Sequence, residues 1–162
     1  MRNRILVFIA VLVLSAGCDH ATKRVARDAL QAGFPISVAA DTVRFELAHN
    51  PGGFLNLGAG LGPNVRRLFF LLFVPVLLVV VCGAFLRSSP ASRYWPLGLG
   101  LVTGGGLANW LDRLLHDGYV TDFVSMGLGP LRTGVFNVAD VAVMTGALLL
   151  LLPLSRDGAS GA

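Results

Sequence analysis

The sequence predicts an α-helical integral membrane protein with four transmembrane helices and a small surface β-cradle between helices 1 and 2. Three observations predict it. Hydrophobic residues make up 54% of the chain and charged residues 14%, against about 25% charged in soluble domains. The apolar residues gather into runs approaching the roughly 20 residues that a bilayer crossing needs. Asp140 stands inside one such run, where a charge costs about 2.5 to 3.5 kcal/mol at mid-membrane and less near an interface. The 162 residues suit a single membrane-embedded domain, 1–162, with spans near 5–22, 68–86, 95–115 and 135–154.

Each span has its own signature. The first apolar run follows Arg2 and Arg4 and reaches bilayer length only if it continues through Cys18 to Thr22, which leaves Asp19 near one membrane face. The second, 68–86, is uncharged, is preceded by Arg66 and Arg67 and is closed by Arg87; Pro75 is expected to kink it. The third, 95–115, is less apolar but carries Gly98, Gly100 and Gly104 to Gly106, the small residues that let helices approach closely in lipid. The fourth, 135–154, is apolar apart from Asn137 and Asp140 near its start. Between the first two spans, Val43, Phe45 and Leu47 alternate with Arg44 and Glu46, a period of two that predicts strands at the membrane surface. Residues 127–134 read as a mobile, glycine-rich loop after Asp122. Arg2 and Arg4 favour an orientation with the amino terminus inside.

Composition also excludes functions. The net charge of +4 comes from scattered basic residues rather than a basic run interleaved with aromatics, so no nucleic-acid partner is indicated. Cys18 and Cys82 each lie in or beside an apolar stretch and suggest neither a disulfide framework nor a thiolate metal cluster. The sequence contains no HExxH, no GxSxG elbow and no glycine-rich phosphate loop followed by lysine.

Four spans put the end of span one, the first loop, the end of span three and the start of span four on one side. Asp19, Lys23, Asn50, Asn109, Asp112, Arg113, Asp122, Asn137 and Asp140 all fall there. Two carboxylates brought together share a proton, because one resists ionising beside the other. Such a pair can take a proton from water and donate one to a carbonyl, which is metal-free acid and base catalysis on a peptide bond. Asn109 and Arg113, spaced i and i+4, project from one helix face, and Arg113 either clamps a substrate carbonyl or pairs locally with Asp112, Asp117 or Asp122. Asp19 and Lys23 share that spacing and as a simple helix-end pair are worth about 0.3 to 0.5 kcal/mol. A metal site of His116, Asp122 and Asp140 is conceivable, though its spacing matches no metal motif, and surface or hydrogen-bonding histidines are the plainer reading.

At these residues the sequence resembles the lipoprotein signal peptidases, or signal peptidase II. The likeness runs through DHATK at 19–23, HNPGGF at 49–54, GGGLANWLDR at 104–113, VTDF at 120–123 and FNVADVAVMTG at 136–146, in order and over nearly the whole chain. The resemblance implies catalytic aspartates at Asp122 and Asp140, substrate-binding residues at Asn50, Asn109, Arg113 and Asn137, and support from Asp19, Lys23 and Asp112, with no metal and no cofactor. It implies cleavage of prolipoproteins before a cysteine carrying diacylglycerol, by a monomer in the bacterial inner membrane, with membrane lipid as its surroundings and its site at the periplasmic face. His20 stands where the family commonly has Gln, Ala108 replaces a usual Gly, and the second motif is one residue shorter.

Two rival readings remain. SAGC at 15–18, after Arg2, Arg4 and a short apolar run, resembles the end of a lipoprotein signal peptide, which would make the chain a substrate lipidated at Cys18. The other is a non-enzymatic transporter or assembly factor using Asp140 as a proton relay.

Overall fold

The computed structural model describes residues 2–31, 33–53, 58, 60–87 and 94–151. Phe54 of the second motif, Arg93, Arg156 and the last residues of the expected fourth span lie outside them.

The first helix, α1, spans Arg2–Ala29 and continues about two turns beyond residue 22. The extension follows from its buried stripe of Phe8, Ser15, Asp19, Lys23 and Ala26, whose helical spacing keeps one face inward past the apolar run. Strands β1 (Ile36–Val38) and β2 (Val43–Asn50) come next. The second membrane segment starts earlier than expected, at Pro63, where a missing N–H costs a helix nothing. It comprises α2 (Pro63–Leu68), a π-helical turn over Phe69–Phe73 and α3 (Val74–Arg87). In a regular α-helix Pro75 would leave the Leu71 carbonyl without its donor. That carbonyl accepts instead from Trp110 Nε1 at 3.1 Å, so the segment passes Pro75 without breaking. Helix α4 covers Trp95–Leu115, as the sequence predicts, and α5 covers Val138–Leu151.

The cradle differs from expectation. It is one antiparallel sheet in the order β1-β2-β3-β4, and β3 (Val120–Leu128) and β4 (Leu131–Arg132) come from the loop between α4 and α5. The first loop supplies only half of it. Residues 127–134, read as a mobile loop, contain a tight hairpin whose turn includes Gly129 at φ +57°. Gly127 is needed because a Cβ there would lie 2.5 Å from the Leu131 carbonyl oxygen. A bulge between Phe45 and Ala48 of β2 shifts the register, so Ala48 faces Asp122 and Asn50 faces Val120.

Helix α4 is the hub, packed chiefly on α1 and α5 and also on α3. Its triple glycine turns about 100° per residue, so each member meets a different partner. A Cβ on Gly104 would strike the Leu12 carbonyl of α1, on Gly105 the Ala139 carbonyl of α5, and on Gly106 Leu78 of α3. Phe8, Phe85 and Leu99 form an apolar cluster near one end of the bundle. Elsewhere the usual distribution is reversed. Asp19, Lys23, Asp112, Asp122 and Asn137 are buried while Leu14, Leu72, Val79, Val80, Leu148 and Leu151 are exposed. Among the described residues, two helices, Arg2–Ala29 and Pro63–Phe85, are long and apolar enough to cross a membrane.

Candidate active site

The site forms where the ends of α1 and α4, the start of α5 and the sheet converge. Of the nine residues expected there, Asn109 is half-buried and the other eight are buried.

Asn137 is its centre. It caps α5 by accepting the Asp140 N–H at 2.9 Å on its side-chain oxygen, while its own N–H donates to Asp140 Oδ2 at 3.3 Å. This reciprocal capping box ties the Asp140 carboxylate to the helix N-terminus, where negative charge is favoured. The Asn137 amide also donates to Asp122 Oδ1 at 2.6 Å. One residue therefore touches both aspartates.

Asp122 is delivered by β3, opposite Ala48, and its second oxygen accepts from Asn50 Nδ2 at 2.8 Å. Asn50 ends β2 and folds over the turn that follows, accepting from Gly52 N at 2.8 Å and donating to the Gly53 carbonyl at 3.0 Å. Burial pushes the Asp122 carboxyl up to about 7; the bonds from Asn50 and Asn137 pull against that, and the Asp140 charge adds to it.

Asn109 links the aspartates to the charges behind them. Its amide donates to Asp140 Oδ1 at 3.0 Å, and its oxygen accepts from Asn137 at 3.2 Å and from Lys23 Nζ at 2.9 Å. With a lysine on one end, the amide must present its nitrogen to Asp140. Lys23 also meets Asp19 at 2.7 Å and Asp112 at 3.2 Å, all three side chains fully enclosed. Support for the site is the role expected of Asp19 and Lys23, with a plain helix-end pair as the alternative; both are buried, because α1 runs on and carries them inside. Asp19 also accepts the Ala139 N–H of α5 at 2.8 Å, and Asp112 the Thr121 N–H of β3 at 2.7 Å. The triad thus anchors the elements that carry both aspartates.

Among the described residues Arg113 pairs with none of Asp112, Asp117 and Asp122. It donates to the Asn109 carbonyl at 3.0 Å and to the Gly52 carbonyl, and its guanidinium lies 4.3 Å over the Phe70 ring. It braces the Asn50 turn from within. His116 bonds Asp112 at 2.9 Å, and among the described residues no group of three His, Cys, Asp or Glu side chains could hold a metal. Cys18 lies exposed midway along α1, and Ala108 is completely buried. Arg27 escaped the sequence reading, although its spacing four residues after Lys23 pointed to it; it donates to Thr121 at 3.0 Å. Thr121 accepts there on its hydroxyl as well as donating its N–H to Asp112, and Gly52, acting through backbone groups alone, left no side-chain signal.

Two solved structures share the fold. Each is titled a bacterial membrane enzyme determined by the in meso method. The 2.3 Å structure gives a TM-score of 0.77 at 20% identity, covering 100% of this chain and 95% of that one. The 1.9 Å structure gives 0.72 at 22%, covering 98% and 96%. A helical frame with charge inside and apolar side chains outside, holding two carboxylates on a shared asparagine, defines the class: a membrane hydrolase of the aspartic peptidase type. Within it the chain belongs to the signal peptidase II family, whose model, described as Signal peptidase (SPase) II, matches residues 9–156. The lipoprotein signal peptidase of Rhodococcus jostii RHA1 is 38% identical over 167 residues, 97% of this chain and 78% of that protein. That of Mycobacterium tuberculosis H37Rv is 36% identical over 157 residues, 93% of this chain and 71% of that one. Membership in a peptidase family displaces the transporter and assembly-factor reading.

Proposed function

We propose that this protein removes signal peptides from diacylglyceryl-modified prolipoproteins, cutting immediately before the lipid-bearing cysteine, with Asp122 and Asp140 as the catalytic pair. The observation that carries this is the double engagement of Asn137, whose amide holds Asp122 while its N–H holds Asp140.

At neutral pH the pair retains one proton, consistent with the raised Asp122 carboxyl. The ionised member takes a proton from a water whose oxygen attacks the scissile carbonyl carbon, and the protonated member donates to the carbonyl oxygen. The resulting tetrahedral diol collapses as the peptide C–N bond breaks. The proton taken from water passes to the leaving nitrogen, and the other carboxyl recovers its own. Asn50, Asn109, Arg113 and Asn137 line the approach. The asparagines keep the carboxylates in register, and Arg113, through Gly52, shapes the turn beside which the peptide lies.

In the membrane we place four crossings, made by α1, α2 to α3, α4 and α5, with the amino terminus inside. The site then opens at the outer face of the bacterial inner membrane. A peptide tethered by acyl chains in the outer leaflet reaches carboxylates at that depth and no deeper. The enzyme works as a monomer, since the proposed pair is complete within one chain.

The test is cleavage of a lipidated precursor by the purified protein in detergent. Asp122→Asn and Asp140→Asn are each expected to abolish cleavage while leaving a cooperative thermal transition, and EDTA to change nothing. Full turnover by either variant would remove the pair as the catalytic groups, and loss of activity in EDTA would point to a metal.

A further inference from the structure

Beside the proposed active site, a cavity of about 230 Å³ opens between the start of α2 and the turn after α4. Its charged lining is Arg66, Arg67, Arg113 and Asp117, three guanidiniums against one carboxylate, with Asn64 and Tyr119 adding polar groups. Planar guanidiniums suit phosphate and carboxylate oxygens because they can offer two parallel N–H donors. Arg113 is held on its inner side by Gly52 and Phe70, and its Nε is enclosed without a hydrogen-bond partner. On the adjoining face of the same helix, an apolar groove of about 400 Å³ runs from Val65 past Leu68, Phe69 and Leu72 to Val76. Residues 65–76 rise about 16 Å at 1.5 Å per residue. Cationic cavity above and apolar track below is the profile of an amphipathic anion.

We propose that the cavity binds the phosphate of an anionic phospholipid whose acyl chains lie in the groove beside it. This rests on the membrane placement proposed above, which sets Arg66 and Arg67 at headgroup level, where each basic residue attracts anionic lipid. The bound lipid acts on the active site through Arg113. Arg113 holds the Gly52 carbonyl, the Gly52 N–H holds Asn50 Oδ1, and the Asn50 amide holds Asp122. A phosphate that steadies Arg113 steadies this relay and the orientation of Asp122.

The experiment compares nanodiscs of phosphatidylcholine alone with nanodiscs containing phosphatidylglycerol, reading lipid retention by native mass spectrometry and cleavage of a lipidated precursor. The wild type is expected to retain phosphatidylglycerol preferentially and to cleave faster with it. Arg67→Gln should retain it about fivefold less well, match the wild type in phosphatidylcholine and lose the stimulation. Equal retention of both lipids, or an undiminished preference in Arg67→Gln, overturns the proposal. Preference abolished by millimolar inorganic phosphate overturns the lipid assignment in favour of a free-anion site. Absence of cleavage in every nanodisc with phosphatidylglycerol still preferentially retained would sink the peptidase reading and leave the lipid site standing.

Discussion

Asp122 is contested between burial, which keeps its proton on, and two amide donors, which favour its loss. With its carboxyl raised to about 7 from an ordinary value near 4, the folded protein holds a proton that the unfolded chain has released across that window. Stability contributed here therefore falls as pH rises from about 4 to 7 and levels off above it. In the proposed mechanism catalysis needs the shared proton, so kcat/KM for a lipidated precursor is expected to decline as pH rises through the region near 7; a rate flat from pH 6 to 9 would contradict this. Lys23 has a different role. Enclosed between Asp19 and Asp112, it neutralises charges that have no water, and Lys23→Met is expected to cost about 3 to 5 kcal/mol, seen as a lowered melting temperature in detergent. Adding Asp19→Asn and Asp112→Asn should restore most of that loss, since both residues would keep an oxygen for the Ala139 and Thr121 N–H groups.

Helix α4 shows how three adjacent glycines can each face a different neighbour. Gly105→Ala would set a methyl 2.5 Å from the Ala139 carbonyl oxygen, one residue before Asp140. It is expected to destabilise by about 1 to 3 kcal/mol through overpacking and to lower kcat by shifting Asp140. Gly17→Ala on α1 meets nothing within 4 Å and should match or exceed the wild type in thermal stability; equal melting of the two variants would refute the packing account. The sheet has its own brace. Asp41, at the turn joining β1 to β2, accepts from Ser37 at 2.5 Å, from Arg44 at 2.7 Å and, through its carbonyl, from Arg132 of β4 at 2.7 Å. Ala39, Ala40 and Asp41 all sit at positive φ, between 52° and 66°, a strained run for side chains with a Cβ. The Arg44 guanidinium holds the Asp41 carboxyl well below the usual range. These contacts pin the tip of the cradle and join the halves supplied by two loops.

Among the described residues, Asp19, Lys23, Asp112, Arg113, Asp122 and Asp140 are buried while many leucines and valines are exposed, an arrangement that suits lipid as the surroundings of the helices. The protein is therefore expected to stay in the membrane pellet after high-salt and alkaline washes and to need detergent for release; recovery in the supernatant would contradict the membrane placement. Charge and apolar surface also separate along the bundle, with the Phe8, Phe85 and Leu99 cluster apart from the carboxylates. In the proposed mechanism the site at one end takes water and a tethered peptide together while the other end only packs.

Much of this was legible in the chain. Long uncharged runs, small residues at helix contacts and acids at run ends are local patterns, because every residue in a span must separately satisfy the solvent it meets. They disclosed the helices, the side on which the polar residues gather and, with the motif resemblance, the two aspartates. The sheet pairing was not legible, since β3 meets β2 across some seventy residues and such pairing depends on where distant helices deliver the strands. The same limit hid the interior role of Lys23 and the grip of Arg113 on Gly52. Charge and spacing name a residue's possible partners, but only the packing of α1, α4 and α5 decides which of them lie within reach.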